Sequence, residues 1–397
     1  MTPPRPHIFH RSDFARTADR LIEASWTRGW QDKSPIDPDH IWETASKGFD
    51  PQDELSIRRP EDVSDFRDRL VQLCHALNTD AELTALGHAM AFGQIQNAVR
   101  WRFELGKVWR EQPQLAETEI APPIIVVGQM RSGTTRVQRL LAADPAHAGT
   151  RFCDSLDPVP RAFDMRPIKA RLTLFLARKV NPWLDTMHPF GATRTDEEIG
   201  WLSAALSPCA FEAQWRIPSF VALNVARDNV SVYREFARIL RTDAACRGNA
   251  DKPRVLKCPQ YAEDLSAMLT IFPDARVVRC RRDTRDVLAS SLSMVASQMA
   301  FQNRHLNTDI IEDYWRRRIA YREERMQADV AACARPVANV SFDALNQDWR
   351  AEIHAAYHAL GEGLSQSALT AMEREVARAK RDPHHRHRTQ IEKLASA

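Results

Sequence analysis

The apolar positions of this chain change period near residue 122. Up to about 120 they recur at helical spacing. Ser12 is placed to cap a helix running through Trp26, Asp62 or Ser64 starts another through Ala76, and a longer one from Asp80 carries Leu83, Leu86, Met90, Ile95, Val99 and Phe103. Pro122-Pro123 closes that region. Beyond it, short apolar runs alternate with helical patterns: Ile124–Val127, Arg254–Lys257, Ala275–Cys280 and Val337–Val340. Such alternation predicts an α/β fold, a parallel sheet with helices on both faces.

Between the first two of these runs lies an insertion, residues 146–253, rich in Pro, Trp and Arg. Within it, Thr195 followed three residues later by Glu198 reads as the capping box of a helix. The domain organisation expected is a helical extension over 1–120 and an α/β domain over 121–397, with the insertion shaping a pocket. Its aromatics, Trp183, Trp201, Trp215, Phe190 and Phe220, would enclose an apolar alcohol or serve as ordinary core.

Charge narrows the range of partners. A net charge of +3 over 397 residues is too small to imply nucleic acid, so any anion selectivity has to be local. Seven scattered cysteines without a CxxC pair suggest neither a disulfide framework nor a zinc site and fit a reducing cytoplasm. No apolar signal core stands near Met1, and no stretch is long enough to cross a bilayer, so a cytoplasmic protein without transmembrane segments is expected.

The local anion chemistry lies at Gly128-Gln-Met-Arg-Ser-Gly-Thr-Thr135, directly after the first strand and before a helix. Gly128 and Gly133 let backbone N–H groups turn inward, the helix directs its positive end to the same spot, and Arg131, Ser132, Thr134 and Thr135 add donors. The glycines are spaced as in a Walker-type loop, but Thr134 stands where a triphosphate site carries lysine. One small anion fits such a loop better than a triphosphate. A second site is expected at the end of the strand Ala275–Cys280, where Arg282 and, eight residues on, Ser290 in the following helix converge above the sheet edge.

Together with Leu256-Lys257-Cys-Pro-Gln260 and Phe272-Pro-Asp-Ala-Arg-Val-Val-Arg-Cys-Arg-Arg-Asp283, these motifs resemble the bacterial PAPS-dependent sulfotransferase family, over roughly residue 80 to the C-terminus. The resemblance implies a P-loop-type open parallel sheet and a donor, 3′-phosphoadenosine 5′-phosphosulfate (PAPS), used without a metal. Its 5′ end would lie on Arg131, Ser132, Gly133, Thr134 and Thr135 and its 3′-phosphate on Arg282 and Ser290. A small-molecule or lipid-like hydroxyl would accept the sulfuryl group. Lys257 and Arg131 would neutralise the leaving phosphate.

The base is open between several residues. The family's Pro-Gln-His is Pro259-Gln260-Tyr261 here, and a phenol with a pKa near ~10 is a poor base. Asp154, in a segment resembling the family's Trp-Glu before Pro-Val-Pro, is the first candidate, with His188 and Glu198 behind it. Two other readings compete: a nucleotide-binding sensor without catalysis, and a P-loop kinase, which would need the missing lysine and a magnesium-holding acid. The basic tail His384-His385-Arg386-His387-Arg388 lacks carboxylate or cysteine partners for a metal and the glycine usual in the family's cofactor-reaching segment.

Overall fold

In the computed structural model, residues 5–382 are described. The basic tail at 384–388 lies outside them. Five parallel strands form one sheet: β1 (Ile124–Val127), β2 (Ala148–Gly149), β3 (Arg254–Lys257), β4 (Arg276–Arg281) and β5 (Val337–Ser341), in the order β2-β3-β1-β4-β5. The central strand pairs on one side through Ile125 with Leu256 and on the other through Ile125 with Val277. Because β1 leads toward the β2 edge and the chain then returns to its other side at β4, the sheet switches direction at β1. Open sheets bind ligands at the carboxyl end of such a point.

The expected strands are present within a residue or so at their ends, whereas the two-residue β2 escaped notice because Ala148 and Gly149 carry no apolar run. β1 is buried on both faces, so it reads as a continuous apolar run rather than an alternating one, whereas β3, equally buried, carries Arg254 and Lys257 at its two ends.

Among the helices, Asp13–Thr27 is capped by Ser12 as expected. The long helix begins later than expected, at Ala85, because Thr84 accepts from Gly87 N at 2.9 Å and caps it. Leu83 is instead held in an isolated bridge with Asn303.

Two large cores matter for the site. One packs β1 and β3 with Trp109, Trp201, Tyr233, Phe236 and Tyr261. The other combines Phe66, Leu70, Ile95, Val99 and Phe103 from the N-terminal helices with Leu206, Phe211, Trp215 and Phe220 from the insertion. The insertion's tryptophans at 201 and 215 are therefore core, and so is Phe220. Among the described residues, no helix is long and apolar enough to cross a membrane.

Candidate active site

The loop after β1 is wound by two residues in the left-handed region, Arg131 (φ 67°) and Gly133 (φ 90°). That conformation turns successive N–H groups to one side. A side chain is excluded at both glycines: a Cβ on Gly128 would lie 2.8 Å from Ser132 Oγ, and one on Gly133 would lie 2.7 Å from the Phe342 ring. The helix Thr134–Ala143 starts on Gly133 with no side-chain cap, leaving its first N–H groups facing the loop. Thr134 is buried and Thr135 half-buried at this end. Ser132 Oγ donates back to Gln129 O at 2.6 Å, so it braces the loop.

The two expected anion sites are one continuous patch. Arg131 Nε donates to Ser290 Oγ at 2.9 Å, and Arg282 Nη1 donates to the Arg131 carbonyl at 2.8 Å. Arg131 also anchors the insertion through Met187 O at 2.6 Å. Arg282 lies over the Phe342 ring at 4.2 Å, and its Nε is buried without a hydrogen-bond partner among the described residues. Burial and then the neighbouring Arg282 push the Arg131 guanidinium down to about 10. A buried cation beside a second one, itself paired with Asp286 at 3.3 Å but with an orphaned donor, suits an anionic ligand. A cavity of about 230 Å³ adjoins them, lined in part by Gln129, Ser132, Arg282 and Thr284.

At the end of β3, Lys257 is buried and its ammonium pairs with Glu197. Its backbone N–H donates to Glu198 Oε2 at 2.8 Å, and the same oxygen accepts from Tyr261 OH at 3.0 Å. The adjacent acids thus divide one lysine between them. The expected capping box is not formed: the helix there is only Ile199–Ser203, with Glu198 at its N-cap and no side-chain cap bond, because the carboxylate is turned into the core. Burial pushes Glu198 up to about 7, against the lowering effect of its hydrogen bonds.

His188 joins this group. Its Nε2 lies 2.8 Å from Asp196 Oδ1 and its Nδ1 3.9 Å from Glu197 Oε1. Burial works against an ionised Asp196, but His188 and Arg139 outweigh it and hold the carboxylate down to about 2. Arg139, on the loop helix, clamps the segment by donating to Pro189 O at 3.0 Å and Thr195 O at 3.1 Å. Phe190 packs on the imidazole, ring centres 4.4 Å apart. His188, Asp196 and Glu197 also have the composition of a metal site, but Glu197 already holds the Lys257 ammonium.

Asp154 is held elsewhere. Fully buried, it takes two bonds of 2.7 Å from Arg151 and lies 3.4 Å from Arg166 and 3.5 Å from Arg247. Its side-chain partners among the described residues are these three arginines and Cys153, none of them from the anion loop. Sequence reasoning missed Asp196 and Arg139 because neither sits in a spaced pattern. Only the fold brings them to His188.

A phosphate-type loop lacking its lysine, at the switch point of a parallel sheet and beside a second arginine, defines a P-loop-type α/β protein. The family model described as "Sulfotransferase family" matches residues 122–366, and the chain belongs to that family. It is 27% identical over 191 residues to the omega-hydroxy-beta-dihydromenaquinone-9 sulfotransferases Stf3 of Mycobacterium bovis and Mycobacterium tuberculosis. That match takes in 46% of this chain and 47% of each relative, so the chain spans about half the length of the curated relatives it matches. The sulfotransferase STF1 of M. tuberculosis superposes with a TM-score of 0.76 at 25% identity, covering 92% of this chain and all of that one. The fold is shared with STF9 of Mycobacterium avium at a TM-score of 0.75 and 18% identity, over 87% and 89% of the two chains.

Proposed function

We propose that the chain transfers a sulfuryl group from PAPS to the hydroxyl of an apolar, lipid-like alcohol. The observation that carries this reading is the bonded pair of anion sites, Arg131 to Ser290 and Arg282 to the Arg131 carbonyl. It matches a donor with a phosphosulfate on one side of its ribose and a phosphate on the other. The lipid-like acceptor is supported by the Stf3 relatives, whose name specifies a hydroxylated menaquinone.

In this proposal the 5′ end lies on the loop N–H groups, Arg131, Thr134 and Thr135, and the 3′-phosphate on Arg282 and Ser290. His188 is the base in place of Asp154. Asp196 fixes the imidazole through Nε2, so that Nδ1 takes the acceptor's proton. The acceptor oxygen then bonds to sulfur, the bond from sulfur to the 5′-phosphate oxygen breaks, and Arg131 and Lys257 neutralise the departing phosphate. Glu197 links the lysine to the imidazole.

Calorimetric titration should show 3′-phosphoadenosine 5′-phosphate binding well ahead of magnesium ATP. Incubation with PAPS and a panel of apolar alcohols should yield sulfated products by mass spectrometry. A preference for magnesium ATP would sink the assignment.

A further inference from the structure

The helix Arg166–Val180 in the insertion carries five basic and no acidic residues. Its inward face is Arg166, Ala170 and Leu174. On the opposite face Ile168, Leu172, Phe175 and Leu176 are 57%, 59%, 55% and 47% exposed, and Phe163 and Met165 just before the helix are 86% and 58% exposed. At 3.6 residues per turn the four helical positions fall within about a third of the circumference, and Lys169 and Arg171 border that arc on either side. Lys179 continues it, its ammonium 5.5 Å from the centre of the Phe175 ring. An apolar stripe edged by cations is the arrangement of a helix lying in a lipid headgroup layer, with lysine and arginine stems reaching outward.

Charge selects among occupants. Lys169 pairs with Asp157 and Arg178 with Asp185, while Arg171 and Lys179 remain exposed beside the stripe. A second copy docked face to face would bring these cations against their own kind. We infer that the exposed face of Arg166–Val180, with Phe163 and Met165, docks the protein on an anionic phospholipid bilayer. The helix cannot span that bilayer: fifteen residues rise only about 22 Å. The inference is independent of the sulfuryl-transfer reading.

The test is co-sedimentation of the full chain with vesicles of equal parts phosphatidylglycerol and phosphatidylcholine, against phosphatidylcholine alone. Wild type should pellet with the mixed vesicles and stay in solution with the neutral ones, and added salt should release it. The double variant Leu172→Ser, Phe175→Ser should partition about tenfold less or weaker still, with an unfolding midpoint close to that of wild type because both side chains are more than half exposed. Arg171→Glu with Lys179→Glu should lose the anionic preference. Failure of wild type to pellet, or equal pelleting of all three proteins, overturns the inference. So does a concentration-dependent dimer that the serine variant abolishes, since a second copy would then own the face.

Discussion

Arg131 joins the two proposed anion sites, because its guanidinium reaches Ser290 while its carbonyl receives Arg282. On the proposed reading, removing either arginine strips a charge-assisted contact from a bound phosphate. Arg282→Ala should therefore weaken binding of 3′-phosphoadenosine 5′-phosphate by about 2–4 kcal/mol in calorimetry and leave nucleotides without a 3′-phosphate nearly unaffected. Equal losses for both ligands would place the 3′-phosphate elsewhere. The proton acceptor separates by similar logic. His188→Asn should lower kcat by about 10²–10⁴ while nucleotide affinity holds. Asp154→Asn should act on stability, costing roughly 3 kcal/mol or more in urea unfolding, since it leaves three arginines around a neutral amide. A stable Asp154→Asn protein without turnover would restore Asp154 as the base. From sequence, the loop arginine and the Arg282–Ser290 spacing could be singled out because phosphate chemistry favours a residue type and an interval, and the fold brings the three side chains together. The surroundings of Asp154 could not be read in the same way, since an acid before Pro-Val-Pro looks the same whether it faces a ligand or the three arginines found around it.

At the scale of elements, the segment 195–198 shows tertiary contacts overriding local capping. Thr195 and Glu198 have the sequence of a capping box, yet the glutamate is drawn to Lys257 N and Tyr261 OH at the end of β3. That choice has a pH signature. An acid raised from 4.5 to about 7 keeps a proton in the folded state that the unfolded chain has released, so stability falls as pH rises between those values. Asp264, pushed up to about 6 by burial, titrates in part of the same window, so the informative quantity is a difference between proteins. Urea midpoints at pH 5 and pH 7 should fall less for Glu198→Gln than for wild type, because the amide can still accept both hydrogen bonds without ionising. An identical fall would mean that Glu198 is ionised at both pH values. The strands themselves were legible, since buried parallel strands are short apolar runs between turns. β2 was not, because two small residues gain their strand character only from pairing with Arg254 and Val255.

Across the whole molecule, the boundary near residue 120 marks a change of pattern, but the packing does not break there. Phe211, Trp215 and Phe220 of the insertion lie in one core with Phe66, Leu70 and Phe103 of the N-terminal helices, and Trp215 Nε1 donates to Gln302 Oε1 at 2.8 Å. Trp109 of the long helix reaches the core beneath the sheet and donates to Thr242 at 2.9 Å. Periodicity could place these side chains on inward faces but not say which partner they met, so a helical extension over 1–120 beside an α/β domain over 121–397 was the natural expectation. Shared cores predict shared unfolding. Tryptophan fluorescence and far-ultraviolet circular dichroism should report a single, coincident urea transition for the full chain. Trp215→Ala should lower its midpoint by the equivalent of about 3–5 kcal/mol in both signals, because the lost indole leaves a cavity and an unpaired Gln302 acceptor. A chain starting at residue 121 should lack a cooperative transition, as its share of that core would face water. Two separated transitions, with Trp215→Ala shifting only one, would show instead that the helical extension folds as a unit of its own.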